Sequence, residues 1–511
     1  MSSLATLRFS PGPFGESVYI NTRLESCGST IPCSEMSNSE LFSLQTTLNE
    51  ALDAFRAEIA AQNLPEPSLQ TSEPHPMDHI TYLPSPVMFE ARRAALACLG
   101  QLMALIRNPY DAIAASSWSA IEPASLRLAA YLDLATIIGD SEDGISVSEL
   151  TAKTGIEEAK LERVFRCLIT QGWFREPREG YFANSRMSNI IKNDQPGFHM
   201  ATTMNHLVSK SAVYLPNMIN HPDPEYRKKA DPSHCAFQMA FNTDLPYFGP
   251  VSWCSKHPED ATRFALAMGG VGPSSDPGTA GDFPWTEICK GKDALVDLGG
   301  GQGTLCCSLA LKYPEIEQFI VQDLADCREA AEANIKSKNL TDRVIFEEQD
   351  FFTPQKRKGK YVFVIQRVLH NWSNENGGLP LLVSSEITHL LEGAKILRQI
   401  RDVLNEESNL LIIESLNKPA VVSSTGPSLK ESLSKLDNNV YSPVPPPPFV
   451  PINFGEANRN PNSLNVVLSA VCGAFGRTLP QMEEMVAKAG LKIKKIHATR
   501  GWPSIIEVGL A

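Results

Sequence analysis

A short apolar run that leads through an acidic residue into four glycines most constrains how this chain can fold. Residues 294–303 read ALVDLGGGQG, and residues 304–312 (TLCCSLALK) follow with the pattern of a helix. Glycines let the backbone turn sharply, adopt positive φ angles and approach a ligand closely. A helix that begins directly after such a turn points its N-terminal N–H groups at the ligand. The stretch therefore predicts a strand, a turn and a helix that together bind a nucleotide-like molecule.

The spacing of these glycines separates the turn from dinucleotide sites. A NAD-type fingerprint reads G-x-G-x-x-G, and counting from Gly299 its last position is Thr304. Asp297 precedes the glycines, and S-adenosylmethionine sites commonly carry an acid there, near the methionine end of the ligand. We therefore expect an S-adenosylmethionine site that is lined by Asp297, Gly299, Gly300 and Gly301.

Composition restricts the other classes of function. The chain has 511 residues, enough for two or three domains, and its formal net charge of −12 provides no global basic field for nucleic acid. Its 11 cysteines include no C-x-x-C pair with zinc-like spacing, so we expect no metal site and reduced thiols in a cytoplasmic protein. No run approaches the ~20 apolar residues of a membrane span. We expect neither nucleic-acid nor membrane partners.

The first half of the chain predicts helices. Residues 1–40 are rich in Ser, Pro, Gly and Asn and predict a disordered tail, which is followed by a helical region over residues 41–285. Within that region, residues 41–62 and 89–106 carry apolar residues at helical spacing, which indicates helices that serve packing or dimerisation. A winged-helix module is expected at about residues 120–190.

Winged-helix modules often bind DNA, which is the alternative role of this region. Lys160, Arg163 and Arg166 lie on the third helix of the module, where they would reach phosphates. The same helix is flanked and interrupted by acids, and the whole chain is acidic. A role in protein packing is therefore favoured over DNA binding.

The second half, residues 286–511, predicts a Rossmann-like doubly wound α/β sheet. Apolar runs alternate with helical patterns, and strands are expected at residues 295–298, 319–322, 344–347, 361–365 and 409–413. Insertions are expected at about residues 377–393 and 418–465. The second contains PVPPPP at residues 443–448 and predicts an extended loop, for which a passive role is favoured over an active-site lid or a ligand for a partner.

Acids follow the next two strands. Asp323 lies 24 residues beyond Gly299, close to the interval of about 20 at which an acid accepts ribose hydroxyls, although a helix cap is the alternative. Asp350 and Phe351 follow the third strand, where an acid can accept the adenine amino group and a ring can pack on the base. A core role for the phenylalanine stays open.

Residues 366–372 (QRVLHNW) follow the fourth strand and complete a family pattern. D-L-G-G-G-x-G, Asp323, Asp350-Phe351 and L-H-N-W together resemble the small-molecule O-methyltransferases typified by plant caffeic acid O-methyltransferase. Residues 240–246 (AFNTDLP) are most similar to fungal members. The resemblance covers roughly residues 45–511. It implies a homodimer formed through the winged-helix domain, and methyl transfer from S-adenosylmethionine to a hydroxyl of a small aromatic or polyketide-like metabolite.

By this resemblance His370 is the general base. A phenol of pKa about 10 accepts a methyl group poorly until it loses its proton, and a neutral imidazole of pKa about 6.5 can take that proton. No metal is required for this step. A hydrogen-bonded structural histidine is the alternative. The resemblance also implies that Glu414 orients the His370 ring, and it places Phe237 and Phe241 in the acceptor pocket, where helical spacing favours a core role equally.

Two positions depart from the family pattern. A second glutamate that flanks the histidine in the family is matched by Gly476, and a Lys or Arg that contacts the cofactor is matched by Gln366. The cofactor contact of Gln366 is kept as an expectation. Together with the two insertions, these departures leave open a methyltransferase-like binding protein with impaired catalysis. A methyltransferase acting on nitrogen or carbon is a second alternative, because the cofactor residues do not identify the acceptor atom.

Overall fold

A computed structural model describes most of the chain, namely residues 39–228, 230–249, 251–272, 275–372, 393–437 and 440–511. The tail expected over residues 1–40 and the insertion expected over 377–393 lie outside the described residues, apart from Ser39, Glu40 and Gly393.

The α-helices of the described residues are numbered here in chain order. They are α1 Glu40–Ala61, α2 Pro86–Ile106, α3 Pro109–Trp118, α4 Ile121–Tyr131, α5 Leu134–Ile138, α6 Val147–Thr154, α7 Glu158–Ile169, α8 Pro196–His199, α9 Asn205–Val213, α10 Leu215–Ile219, α11 Pro224–Lys228, α12 Ala236–Phe241, α13 Trp253–Lys256, α14 Pro258–Gly269, α15 Asp276–Gly281, α16 Trp285–Cys289, α17 Thr304–Lys312, α18 Arg328–Ser337, α19 Gly393–Arg401, α20 Leu429–Leu433, α21 Arg459–Cys472 and α22 Leu479–Lys488. No helix in these ranges is long and apolar enough to cross a membrane.

The strands form two sheets. They are β1 Ile145–Ser146, β2 Phe174–Arg178, β3 Tyr181–Asn184, β4 Ala294–Leu298, β5 Phe319–Asp323, β6 Val344–Glu348, β7 Tyr361–Gln366, β8 Asn409–Glu414, β9 Leu491–Ala498 and β10 Ser504–Leu510. The small sheet has the order β1-β3-β2, and the large one has the order β6-β5-β4-β7-β8-β10-β9.

The large sheet confirms the predicted Rossmann-like fold. Strands β4 to β8 are parallel to their neighbours, while β10 is antiparallel to both β8 and β9. Successive side chains of a strand point to opposite faces, so β4 buries Leu295 on one face and Val296 on the other. Helices cover both faces, which explains why the parallel strands are near-continuous apolar runs. The carboxyl ends of β4, β5 and β7 therefore meet at one edge, where the glycine turn lies.

The winged-helix pattern is also found. Helices α4 to α7 pack on the β2–β3 hairpin, and Phe165 stacks on Phe182 with ring centroids 4.4 Å apart. Arg166, one of the three cations that would reach DNA phosphates, instead bonds to Glu162 and Glu176 of its own module. The ion pair between Arg166 of α7 and Glu176 of β2 joins this helix to the hairpin.

The second insertion is fixed to the N-terminal helices. Residues of α20 and the following loop share a core with α1 and α2, in which Leu433, Val444 and Phe454 pack against the helix pair. Arg93 of α2 donates to the carbonyl oxygen of Val444 and lies 3.7 Å from the centre of the Phe454 ring. The polyproline stretch of residues 443–448 is thus neither helix nor strand, as predicted, and it is anchored at Val444.

Candidate active site

The glycine turn is shaped by positive φ angles and by close neighbours. Gly299, Gly301 and Gly303 have φ of 69°, 53° and 72°, a region that side chains rarely adopt. A Cβ atom at Gly299 would lie 2.7 Å from Cγ2 of Val368, and one at Gly300 would lie 2.7 Å from Oδ2 of Asp297. At Gly301 a Cβ would meet nothing within 4 Å. The turn is therefore tightly packed on its inner side and open at Gly301, three residues before α17 begins.

Asp297 lies beneath this turn and is 2 % exposed. Its Oδ1 accepts no hydrogen bond within the described part of the chain, and its Oδ2 has only a weak contact from the Cys306 thiol at 3.9 Å. Burial raises the pKa of Asp297 to about 7, and the nearby Asp323 also raises it, while Arg367 lowers it. A buried carboxylate oxygen without a donor is costly, so the site favours a ligand that brings a cation or an N–H group.

Asp323 ends β5 and is bonded to the turn. Its Oδ2 accepts from the backbone N–H of Gly301 at 2.8 Å, and its Oδ1 accepts from that of Leu324 at 2.8 Å. Burial raises the pKa of Asp323, and these two donors oppose the rise. The Cys327 thiol also bonds to this carboxylate, which still leaves acceptor capacity among its four lone-pair sites. The structure thus brings Asp323 to the glycines as expected.

Asp350 and Phe351 complete this side of the site. Asp350 accepts from the N–H of Phe352 at 2.9 Å, which fixes the turn after β6. The Phe351 ring lies next to Gly299, because a Cβ there would be 3.4 Å from its Cε1. Its centroid is 6.1 Å from that of Trp372. Phe351 is only partly buried, and it borders the turn.

His370 and Glu414 form a hydrogen-bonded pair at the ends of two neighbouring strands. His370 lies in a short 3-10 turn, Leu369–Asn371, after β7, and Glu414 is the last residue of β8. The Nδ1 atom of His370 is 2.7 Å from Oε2 of Glu414, and the backbone N–H of His370 donates to Oε1 at 3.2 Å. Glu414 is 3 % exposed. A carboxylate on Nδ1–H fixes the ring tautomer and leaves the lone pair on Nε2.

Arg477 holds the histidine turn from the other side. Its buried guanidinium donates to the carbonyl oxygen of Leu369 at 2.6 Å and to that of Trp372. These residues flank His370 in the sequence, so both ends of the turn are fixed by one side chain. Burial lowers the pKa of Arg477 to about 10, and the nearby Glu414 raises it, so the group stays cationic at neutral pH.

The position of the missing family glutamate is filled by two asparagines. Gly476 N–H donates to Oδ1 of Asn465 at 2.9 Å, and Nδ2 of Asn417 donates to the Gly476 carbonyl at 2.5 Å. The two amides also bond to each other at 2.7 and 3.0 Å. A Cβ at Gly476 would lie 2.4 Å from Oδ1 of Asn465. A glutamate cannot enter here unless these amides move.

Sequence comparisons place these features in one family. The family model described as "O-methyltransferase domain" matches residues 287–434, and that described as "O-methyltransferase dimerisation domain" matches residues 118–193. The chain belongs to the O-methyltransferase family. The methyl donor of this family is S-adenosylmethionine.

Curated relatives agree with this assignment. The O-methyltransferase cicE of Emericella nidulans is 28 % identical over 85 % of this chain and 81 % of its own length. The O-methyltransferase tpcA of Aspergillus fumigatus is 26 % identical over 84 % of this chain and 88 % of its own length. Chlorophenol O-methyltransferase of Trichoderma longibrachiatum is 26 % identical over 65 % of this chain and 70 % of its own.

Solved structures share the fold. The mitomycin 7-O-methyltransferase MmcR has a TM-score of 0.57 at 19 % identity and covers 81 % of this chain and 100 % of its own. A structure described as a pericyclic reaction enzyme has a TM-score of 0.62 at 19 % identity, covering 83 % and 95 %. At these sequence identities the structural similarity establishes only the fold of this O-methyltransferase, and not its substrate.

The residues at the turn fit the cofactor of the family. Asp297 offers an unsatisfied buried acceptor, Gly301 faces open space, and Asp323 has acceptor capacity left over. These three features suit an ammonium group, close backbone approach and ribose hydroxyls, respectively. Direct cofactor contact by each of these residues stays a prediction.

The Gln366 side chain, which is expected to contact the cofactor, is hydrogen-bonded to Asp276. Its Nε2 donates to Oδ1 of Asp276 at 3.4 Å, and the same oxygen is 3.2 Å from Nη2 of Arg367. Arg367 has a φ of 55°, which turns its side chain sharply from the path of β7. Asp276 begins α15 and was not foreseen, since Asp-Pro at residues 276–277 indicates only a helix start. Gln366 therefore lies in a polar cluster beside Asp297.

The two phenylalanines expected in the acceptor pocket differ in their surroundings. Phe237 is 0 % exposed and lies in an aromatic cluster, with its ring centroid 4.7 Å from that of Phe241 and 5.2 Å from that of Tyr247. It has no surface for a ligand, so the core role accounts for it. Phe241 is partly exposed, with Nζ of Lys210 3.9 Å from its ring centroid. Substrate contact by Phe241 stays a prediction.

Proposed function

We propose that this O-methyltransferase moves the methyl group of S-adenosylmethionine to a hydroxyl of a small aromatic or polyketide-like metabolite, with His370 as the general base. The observation that carries the proposal is the His370–Glu414 pair, which lies at the same sheet edge as the glycine turn. A relative named for chlorophenol supports a phenolic acceptor. So does a structural neighbour of 18 % identity that is described in complex with 1,4-dihydroxy-2-naphthoic acid.

The cofactor side is assigned to residues at the carboxyl ends of β4 to β7. We assign the binding surface to Gly299, Gly300, Gly301, Asp297 and Asp323. Asp350, Phe351 and Gln366 extend this surface toward the base. When bound, S-adenosylmethionine supplies a sulfonium methyl group as the electrophile. The chain itself has to hold the acceptor oxygen in line with that methyl group, and orientation of this kind contributes much of a rate enhancement.

The histidine side is assigned to proton removal. Nε2 of His370 takes the proton of the acceptor hydroxyl, and Glu414 stabilises the imidazolium that forms. Arg477 keeps the turn in place through the carbonyls of Leu369 and Trp372, so it acts as a positioning residue. The arrangement needs no second glutamate, because Glu414 already engages both the ring and the backbone of His370.

We also propose a homodimer in the cytoplasm. The dimerisation domain of residues 118–193 begins where large apolar side chains are exposed, among them Tyr110, Ile113 and Trp118. A patch of this kind on a soluble protein marks an interface. The cysteines of the described ranges are all free thiols, which suits a reducing compartment.

The test uses purified protein, isotope-labelled S-adenosylmethionine and a panel of phenols, with products identified by mass spectrometry and their linkage by NMR. We expect O-methyl products, and expect His370→Ala to lower kcat roughly 10²–10⁴-fold while S-adenosylhomocysteine affinity stays unchanged in calorimetry. N- or C-methyl products would replace the proposal by the first alternative. Retained cofactor binding without any turnover would favour the impaired binding protein, and a fully active His370→Ala would refute the base.

A further inference from the structure

Asn417 and Asn465 bind the backbone of Gly476 and Arg477 at three points. The N–H of Gly476 donates to Oδ1 of Asn465 at 2.9 Å, and the carbonyl oxygen of Gly476 accepts from Nδ2 of Asn417 at 2.5 Å. The carbonyl oxygen of Arg477 accepts from the backbone N–H of Asn417 at 2.9 Å. These contacts fix the backbone directly before and within the residue whose guanidinium holds the turn of His370.

The two asparagine side chains also fix each other. Nδ2 of Asn465 donates to Oδ1 of Asn417 at 2.7 Å, and Nδ2 of Asn417 donates to Oδ1 of Asn465 at 3.0 Å. Both residues are partly buried. Because an amide has its donors on one side and its acceptor on the other, neither amide can flip without losing its bond to Gly476. The two amides are thus held in a single orientation between the segment after β8 and helix α21.

Arg477 connects this pair of amides to His370. The residue is 2 % exposed, and its guanidinium donates to the carbonyl oxygens of Leu369 and Trp372. These two carbonyls lie on either side of His370, in the turn that follows β7. A guanidinium presents its donors in a rigid fork, so a shift of the Arg477 backbone is transmitted to the turn.

The segment of residues 414–417 reaches His370 by two routes. Glu414 binds the ring and the backbone N–H of His370 directly. Asn417 lies three residues further along the chain and acts on the other side of the turn, through its contacts with Gly476 and Arg477. The direction of Nε2 of His370 depends on both routes. A misplacement of about 1 Å in an active site can lower the rate by roughly 10²-fold.

The amides occupy the side of the histidine at which the family pattern has a second glutamate. The φ angle of Gly476 is not positive, so its backbone would accept a side chain. The obstacle is Asn465, whose Oδ1 would lie 2.4 Å from a Cβ at residue 476. We infer that Asn417 and Asn465 are positioning residues, which act as one unit through Arg477 to orient His370. This inference rests on the proposed function, because it concerns the base of that same reaction.

The test measures the turn and the reaction separately in Asn417→Ala and Asn465→Ala. Hydrogen exchange with mass spectrometry reports on the amides of residues 370–372 in the free protein. Steady-state kinetics gives kcat and KM, and calorimetry gives the affinity for S-adenosylhomocysteine. We expect roughly 10-fold faster exchange in the turn and a kcat lowered roughly 10- to 10²-fold, with KM and cofactor affinity unchanged. The amides of β4 and β5 are the internal reference for global unfolding.

Asn184→Ala is the matched control. Nδ2 of Asn184 donates to the carbonyl oxygens of Ala135 and Gly139 in the winged-helix module, and the side chain is fully buried. Its loss should lower the stability of the protein, because it leaves buried carbonyls without donors. It should leave the exchange of residues 370–372 and kcat as in the wild type, which separates positioning from a general loss of stability.

The double variant Asn417→Ala/Asn465→Ala tests whether the two amides act as one unit. Its kcat should then be close to that of the weaker single variant, whereas losses that multiply would overturn the unit. Unchanged exchange and kcat in both single variants would overturn the inference and leave the proposed function standing. Faster exchange in the turn together with N- or C-methyl products would remove the proposed O-transfer and retain the positioning role.

Discussion

Glu414 matters at the scale of single residues because it contacts His370 twice. One carboxylate oxygen binds the ring and the other binds the backbone N–H. The first contact sets the tautomer and the second sets the position of the turn. Loss of charge at residue 414 should therefore separate a chemical effect from a structural one.

Glu414→Gln keeps the shape of the side chain and removes its charge. We expect kcat to fall roughly 10²-fold or more, because an amide neither stabilises the imidazolium nor fixes the tautomer as firmly. Steady-state kinetics and calorimetry with S-adenosylhomocysteine measure the two effects. An unchanged kcat would show that His370 does not need this partner.

The raised pKa of Asp297 should make cofactor affinity depend on pH. Burial raises its pKa to about 7, so the carboxylate is largely protonated below that pH in the free protein. The ammonium group of S-adenosylhomocysteine favours the ionised form, so affinity should increase as the pH rises from 6 to 8, values that bracket about 7. In Asp297→Asn this rise should disappear, as isothermal titrations at several pH values would reveal. A rise of equal size in the variant would assign the titration to another group.

The same shift affects the stability of the free protein. Since the folded pKa of Asp297 is raised, its contribution to stability is present below the unfolded value of about 3.9 and is lost as the pH rises through about 7. The free protein is therefore less stable at neutral pH, because the buried Asp297 carboxylate is then partly ionised. Cofactor binding has to offset this loss of folding free energy.

At the scale of elements, the second insertion is joined to α2 by a buried polar network. Glu90 is fully buried, pairs with Arg93 and accepts from the Tyr441 hydroxyl at 2.6 Å. Tyr441 lies in the insertion, so the network links segments that are 351 residues apart. Through this contact the second insertion packs as part of the N-terminal helical region, together with α1 and α2.

Glu90→Ala should be strongly destabilising, by about 3–5 kcal/mol, because it leaves Arg93 and Tyr441 without their buried partner. Thermal and urea denaturation measure the change. Lys153→Ala, which breaks an exposed pair with Glu149, is the matched control and should stay within about 0.5 kcal/mol of the wild type. Similar losses in both variants would contradict the structural role of the network.

Sequence alone predicted the elements that carry strong local signals. Strands β4, β5, β7 and β8 are buried on both faces along most of their length, so each is an apolar run that can be recognised without knowledge of its neighbours. The β9–β10 hairpin was missed, because edge strand β9 alternates lysines with apolar residues and lacks such a run. His370 and Glu414 were predicted through the family resemblance that the L-H-N-W motif carries, and Glu414 ends strand β8.

The remaining site residues depend on contacts between distant segments. Asp276 meets Arg367 across 91 positions, and Arg477 meets Leu369 across 108. Neither pairing leaves a local pattern of spacing or composition. The asparagine pair at Gly476 was hidden for the same reason, since Asn417 and Asn465 are 48 residues apart.

At the scale of the whole molecule, the exposed apolar side chains of α3 and α4 point to assembly. Trp118 is 71 % exposed at the end of α3, where the dimerisation domain begins. Large apolar side chains in such density on one segment are unusual for a monomer.

Light scattering after size-exclusion chromatography should give twice the monomer mass for the wild type. Trp118→Glu should shift the protein toward the monomer, since it buries a charge in the proposed interface. Val421→Glu, at an exposed apolar position of the second insertion, should leave the mass unchanged. A wild-type monomer at micromolar concentration would exclude the dimer.

The order of the strands in the large sheet has a consequence for folding. Strand β10 follows both β8 and β9 in the sequence yet lies between them, with Ser504 paired opposite Glu414. Arg477, which fixes the turn of His370, meets Leu369 across 108 positions. Contacts of such large sequence separation require long loops to close, which costs chain entropy before the contacts form. We therefore expect the surroundings of His370 and Glu414 to become ordered late in folding, after the locally encoded helices.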